Sequence, residues 1–293
     1  MKERLSVALI AKNAAPYLER CLRTVTWADE IVVLDGHSTD GTQEIARRFG
    51  AKVLEKDFES FPAERAYVLA QTSHDWVLSL DADMIVPPEL TKEIQDLLAQ
   101  GPEYDGYRMR CLNHFLGREI RHCSWFDYRF LRLFNKHKGA YDQTAKVLDL
   151  FICTGRVGTL EHYLVHHQTE TLEEYLEKLI RRYAPLTADE YIAKGVRITW
   201  WNPPWYFVLK PCLVFLYKYV LKRGFLDGVP GFLICLNSAI LYYFVFSIIW
   251  DRQQGRPEYH FDRYLSPPAG RAEGRPGEVV TKEGRGMGRG DRA

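Results

Sequence analysis

The sequence predicts an α/β fold, a mixed and mainly parallel sheet flanked by helices, followed by a C-terminal membrane-associated helical region. Three observations carry that prediction. Short apolar β runs alternate with stretches of helical spacing over the first hundred residues, the pattern of a parallel sheet covered by helices. Two of the β runs end in aspartate, at Asp35 and Asp81. Residues 203–250 are far more apolar than the rest, with no charged side chain from 229 to 250.

The elements follow in order. "SVALIA" is a first buried strand. It stands within "MKERLSVALIAKN", whose apolar run is stopped by Lys12, too soon for a signal peptide. Residues 15–25 carry Tyr17, Leu18, Cys21, Leu22 and Val25 at helical spacing. "EIVVLD" is a second strand. Asp40, with Gln43 three residues on, is the expected N-cap of a helix that Gly50 ends. "AKVLEK" is a third strand, residues 62–72 a helix, "WVLSL" a fourth strand and residues 88–99 another helix. Residues 104–150 turn aromatic and strand-like, in "YDGYRMRC" and "RFLRLFNK", and residues 171–193 are helical.

Beyond residue 203, "WYFVLKPCLVFLYKYVL" is apolar but holds Lys210, Pro211 and Lys218. Residues 229–250 are long enough to span a bilayer. If both segments spanned, Lys222 and Arg223 would lie on the far side, against the positive-inside tendency. A hairpin or a pair of helices lying in the interface, with Trp, Tyr and Lys at the headgroups, fits better. The tail from Ser266 is rich in Pro, Gly, Arg and Glu without periodicity and is expected to be disordered. The expected division is thus 1–195 catalytic, 196–265 membrane-associated and 266–293 tail.

Composition narrows the function. The chain has 293 residues, 46% hydrophobic and 26% charged, and its net charge of +1 argues against bulk nucleic-acid binding. Six cysteines without a C-x-x-C fit reduced thiols rather than a disulfide framework. The chemistry lies in "LSLDADMIV". Ligands of open parallel sheets bind beyond the carboxyl ends of the strands, so Asp35 and Asp81 open onto one crevice. Asp83 lies two residues after Asp81, on the same side of a continuing strand. Such a pair either grips a hard cation or divides between a metal and a sugar hydroxyl; the cation, Mg2+ or Mn2+, takes its remaining ligands from phosphates and water. That cation neutralises charge on a departing diphosphate.

These residues resemble a known family. "SVALIAKN", "ADEIVVLDGHSTDGTQEIARRFGAKV" and "DWVLSLDAD" are similar to glycosyltransferase family 2, with the GT-A (Rossmann-like) fold. "FLGREIRH", "LRLFNKHKG", "YLEKLIRRYA" and "LKRGFLDGVPGF" resemble its bacterial lipopolysaccharide-core β-glucosyltransferases, so the likeness covers residues 4–250. The resemblance implies that Lys12, Asn13 and Asp35 line the nucleobase and ribose pocket. It implies that Asp81 faces the ribose or the metal, that Asp83 ligates the metal, and that Arg65 approaches the donor. It also implies transfer with inversion, which needs a base to take the acceptor proton.

Two departures matter. Ala14 follows Asn13 where the family often has Glu. The subgroup's Val-His-Glu stretch reads Gln143, Thr144, Ala145, so the expected base is missing; Asp142 is the replacement candidate, with Asp127 second. His122 and Trp125 are candidates for the acceptor site. Cys111, His114, His122 and Cys123 match no common zinc spacing. Of His162, His166 and His167, the last fits best by position as a ligand of the metal or diphosphate. Arg132 faces the diphosphate or a structural ion pair, and the basic pair at 181–182 is a solvated helix face or meets anionic lipid.

The reading is a metal-dependent inverting glycosyltransferase. It takes a nucleotide-sugar donor, UDP-glucose, and a lipid-linked saccharide acceptor. It works at the cytoplasmic face of a bacterial inner membrane, peripheral or hairpin-anchored. The alternative is a catalytically impaired nucleotide-sugar-binding protein of the same fold. A nucleotidyltransferase is disfavoured, because "AKNAAPYLER" is not its Gly-rich loop.

Overall fold

A computed structural model describes residues 3–143, 151–169 and 171–255. Strand β1 (Leu5–Ala11) is apolar on both faces and lies inside the sheet, between β2 (Glu30–Asp35) and β4 (Trp76–Asp81), parallel to both. The short β3 (Lys52–Glu55), half polar, is the edge strand beyond β2. Helix α1 (Ala15–Arg23) buries Leu18, Cys21 and Leu22, the stripe read from its spacing. Helix α2 (Thr42–Arg48) starts two residues after Asp40; Gly41, at φ 89°, holds the cap position, and Asp40 Oδ1 accepts from Thr42 N at 3.2 Å. Ser60 caps α3 (Phe61–Ala70) through Ala63 N at 3.3 Å. The two-residue strand β5 (Met84–Ile85) and α4 (Pro88–Gln100) complete this half.

The second half is built differently. The strands β6 (Gly106–Phe115), β7 (Arg118–Ile120), β8 (Arg129–Asn135) and β11 (Val157–Thr169) extend the same sheet, in the order β3-β2-β1-β4-β8-β6-β11-β5 with β7 on β6. Antiparallel β8 sits between β4 and β6, while β11 runs parallel to β6. The sheet is therefore parallel from β3 to β4 and mixed beyond. A separate ribbon pairs β9 (Gly139–Tyr141) with β10 (Phe151–Cys153). One face of the sheet is covered by α1, α2 and α4 over Val7, Leu9, Val33, Leu78, Leu80, Met109 and Leu164. The other is covered by α3 and the ribbon over Ala8, Val32, Leu34, Val77 and Phe134.

Helix α5 (Leu172–Lys178) is capped by Thr171 and continues through a π turn into α6 (Ala184–Ala193). Helix α7 (Lys210–Leu216), also flanked by π turns, buries no side chain. Helix α8 (Gly228–Gln254) is the one described helix long and apolar enough to cross a membrane by length and composition. It is tied to the protein at both ends. Asp227 accepts from the backbone of Arg121 (3.3 Å) and His122 (2.9 Å). At the far end Arg252 pairs with Asp189, and Ile198 N donates to Gln253 Oε1 at 3.0 Å. Ile234 and Cys235 pack with Phe115, Ile120 and Tyr175, and Val245, Phe246 and Ile249 pack with Ala184 and Ala188. The expected tail, 266–293, and residues 144–145 lie outside the described residues.

Candidate active site

Because β2 and β4 both run parallel to β1, their last residues emerge at one sheet edge. Ala11 is in register with Asp35, and Ile10 with Asp81. Asp35 is fully buried, and its carboxylate accepts from Ser38 N (2.8 Å), Ser38 Oγ (2.5 Å) and Gln43 Nε2 (2.8 Å). Asn13, at φ 48° in the left-handed region Asn tolerates, donates its N–H to Ser38 Oγ (2.7 Å) and accepts from Thr39 N (3.0 Å). Lys12 lies on Gly36, where a Cβ would stand 3.3 Å from its Cδ. Asp35 and Asn13 thus shape the loop at the mouth of the crevice. The resemblance implied that Asp35 lines the ligand pocket; here its oxygens accept from Ser38 and Gln43 of the loop at its mouth.

Asp81 is held by two arginines. Arg65, completely buried, donates Nη1 to Leu80 O (2.6 Å) and Ser79 Oγ (3.1 Å) and pairs through Nη2 with Asp81 Oδ1. Arg132 Nη2 meets Asp81 Oδ2 at 3.2 Å. Burial alone would push the Asp81 carboxyl up, but the two guanidiniums outweigh it and hold it far below the usual range. Arg65, expected to approach the donor, stands behind the acid and orients it. Arg132 makes the ion pair that was one of its two expected roles.

Asp83 faces His166. Asp83 Oδ1 lies 3.1 Å from His166 Nε2, yet no donor is aligned on this buried oxygen. His166 Nδ1 lies 2.9 Å from Asn113 Oδ1, and Asn113 Nδ2 donates to the carbonyls of Cys111 and Trp125, both at 3.3 Å. With its amide nitrogen so placed, Asn113 offers oxygen, so Nδ1 of His166 carries the hydrogen and Nε2 is turned toward Asp83. Burial would lower the His166 pKa; the Asp83 charge beside it prevails and raises it. Asp81, Asp83 and His166 each present a ligand atom within 4.8 Å of the others. Two carboxylates, an imidazole and a buried oxygen without an aligned donor fit a divalent ion of the Mn2+ type. Such an ion, when bound, supplies positive charge to a leaving diphosphate. The chain's own part is to fix two of the three ligands: Arg65 and Arg132 hold Asp81, and Asn113 turns His166.

The structure groups His166 with the two acids, while the expected His167 also borders Asp83: its N–H donates to Asp83 O at 3.1 Å and its side chain shares a small pocket with Asp83, Tyr17 and Arg20. Neighbouring strand residues face opposite sides, and the His167 ring stacks on His114 at 5.0 Å. His122 Nδ1 reaches Asp227 Oδ1 at 2.8 Å, which joins it to the start of α8. Trp125 packs edge-on against Phe115, and its carbonyl reaches the site through Asn113. Tyr141 OH donates to Ser79 Oγ at 2.9 Å beside Arg65, and Asp142 follows it on the chain. Asp127 lies on the surface, 3.7 Å from Lys222. Cys111 belongs to the main core and Cys123 to a separate cluster with Cys235, so the cysteine–histidine group does not converge. Arg181 pairs with Glu177 at 3.5 Å, whereas Arg182 covers the Phe61 ring at 4.2 Å. Asn113 and Asp227 are the functional positions that sequence reasoning missed; their partners are 53 and 105 residues away.

A family model described as glycosyl transferase family 2 matches residues 6–153, half of the chain. The chain belongs to glycosyl transferase family 2. As a member it is a glycosyltransferase, and its sheet is the GT-A arrangement that the resemblance implied. The lipopolysaccharide core biosynthesis glycosyltransferase LpsC of Rhizobium meliloti (strain 1021) is 26% identical over 268 residues, 89% of this chain and 97% of that protein. An uncharacterized glycosyltransferase of Rickettsia typhi (strain ATCC VR-144 / Wilmington) is 24% identical over 253 residues, 78% of this chain and 81% of that one. Among solved structures, the mannosyltransferase PcManGT from Pyrobaculum calidifontis, in complex with GDP-Man and Mn2+, is similar at TM-score 0.47 and 17% identity, covering 83% of this chain and 74% of that one. Residues 1–349 of TarS from S. aureus, in complex with UDP, are similar at TM-score 0.44 and 15% identity, covering 86% and 92%.

Proposed function

We propose that this family 2 glycosyltransferase moves a hexose, glucose, from UDP-glucose to a hydroxyl of a lipid-linked saccharide, with inversion, in cell-envelope glycan synthesis. The observation that carries the reading is the convergence of Asp81, Asp83 and His166 at the carboxyl edge of the sheet. The donor's diphosphate is held there with Mn2+, or Mg2+ at lower affinity because an imidazole completes the set. Residues 1–195 are the catalytic part, and Asp142 takes the acceptor proton. The likeness to the Rhizobium lipopolysaccharide core biosynthesis glycosyltransferase supports the envelope-glycan acceptor.

Residues 196–265 carry the enzyme on the cytoplasmic face of a bacterial inner membrane, peripherally. The outward residues of the 205–221 segment, Trp205, Leu209, Leu213, Leu216 and Val220, are about half exposed and form one apolar stripe. Because α8 is bonded to the rest of the protein at both ends, it lies along the domain rather than through a bilayer.

The test is a donor screen. UDP-, GDP- and dTDP-sugars are titrated with Mn2+ and read by bound ligand, then by transfer or hydrolysis. UDP-glucose should bind most tightly in the wild type, and Asp83→Ala should lose the metal-dependent part. Equal binding of all nucleotides would sink the donor assignment, and binding without hydrolysis or transfer would make this a nucleotide-sugar-binding protein.

A further inference from the structure

Helices α7 and α8 meet through Phe215 edge-on to Phe232, 5.8 Å apart, but leave a gap beside that contact. Between them runs a cavity of about 540 Å3, lined by Pro211, Cys212, Phe215, Phe232, Leu236 and Ala239 among others. The lining is apolar apart from the Tyr243 hydroxyl and the Cys212 thiol, so the walls offer a peptide's N–H and C=O groups almost no partners. The chain from Ser266 onward is an unsuitable occupant for a second reason: it is dominated by Gly, Pro, Arg and Glu. Hydrocarbon is the chemistry that fits.

The surroundings say which hydrocarbon. The apolar stripe of residues 205–220 borders the cavity and faces outward with it. At the N-terminal end of this stripe stand Trp200, Trp201 and Trp205, 92%, 67% and 48% exposed. Aromatic side chains of this kind settle at the headgroup level of a bilayer. Cations flank the cavity along the chain: Lys210 at one end, over the Tyr242 ring, and at the other exposed Arg223, beside Lys222, which also lies 3.7 Å from Asp127. They complement an anionic headgroup.

We propose that the α7–α8 groove takes one acyl chain of an anionic phospholipid of the membrane on which the protein lies. The proposal rests on the membrane-surface reading above and deepens it: a lipid chain fills the protein's surface, and the protein does not merely rest on the bilayer.

The test uses the full chain with phosphatidylglycerol vesicles that carry a photoreactive diazirine in the acyl chain. After illumination, adducts are mapped by mass spectrometry. The expected result is adducts on the groove residues Pro211, Cys212, Phe215, Phe232, Leu236 and Ala239. Cys212 is exposed at the lip, so Cys212→Trp fills the groove without disturbing the core. That variant should still sediment with vesicles and should lose the groove adducts. Sedimentation with adducts confined to outward residues such as Leu209 and Leu213 overturns the groove and leaves the membrane reading standing. Failure to bind vesicles overturns both. A photoreactive group attached to Cys212 checks the rival occupants. Capture of a second copy of the chain, or of residues beyond 255, overturns the proposal; capture of lipid supports it.

Discussion

Single side chains decide whether the acidic edge can hold a metal–diphosphate. His166 and His167 both border Asp83, but only His166 offers a ligand atom to the two acids, and a pair of variants separates them. His166→Ala should weaken Mn2+-dependent UDP binding at least about tenfold, and His167→Ala clearly less, since its side chain is not one of the three ligand groups. Asn113→Ala should fall between them, since His166 keeps its ring but loses the contact that turns it; isothermal titration reads all three. The sequence held the signal for this choice. Leu160 and Leu164 share strand parity with His166, and both lie in the core beneath α1 and α4. Arg65 was less legible, because a basic residue on a helix reads alike whether it meets a ligand or stands behind an acid. Arg65→Leu should cost about 3 kcal/mol, seen as a lowered unfolding midpoint, because it leaves Asp81 only Arg132 at a half-buried site. The pH dependence has a definite sign. The folded Asp81 carboxyl is held below its ordinary value, so its stabilisation is full above roughly pH 4 and is lost as pH falls below that. Arg65→Leu should flatten that acid loss in denaturation midpoints measured from pH 5 to pH 2.

Elements were read with uneven success, for physical reasons. The first half, β1 through α4, is local strand–helix alternation, and each strand end announces the next turn. The second half depends on long-range pairing. Nothing in "RFLRLFNK" says that β8 will insert antiparallel between β4 and β6. The expected cap at Asp40 lies just outside α2, because Gly41 takes a left-handed turn that Asp40 stabilises from one residue away. Helix α8 was legible as apolar but not as docked, since its anchor, Asp227, bonds a loop 105 residues earlier. Asp227→Ala would strip the acceptors from the Arg121 and His122 N–H groups. A loss of about 2 kcal/mol is expected in chemical denaturation. Gly231→Ala should destabilise as well, because its Cβ would come 2.1 Å from Gly224 O.

The protein as a whole couples a charged crevice to an apolar flank. Removing residues 203–255 would uncover Phe115, Ile120, Tyr175 and Ala184, so the truncated chain should aggregate or melt early rather than become a soluble enzyme. Charge on the outer stripe is the cleaner probe. Leu209→Glu with Leu213→Glu should release the protein from vesicles in a flotation assay while leaving its melting temperature close to that of the wild type. Inside the crevice, Arg65 and Arg132 already balance Asp81 and Asp83, so a divalent ion alone gains little net attraction. The nucleotide's diphosphate supplies the missing negative charge, and metal and nucleotide must therefore strengthen each other by the same factor. Calorimetric titration of UDP into the protein with and without Mn2+, repeated on Asp83→Ala, measures that coupling. The wild type should bind UDP at least about tenfold more tightly with Mn2+, and Asp83→Ala should show no such gain. A wild type indifferent to Mn2+, or an Asp83→Ala protein that keeps the full gain, would contradict the assignment of this edge as the donor site.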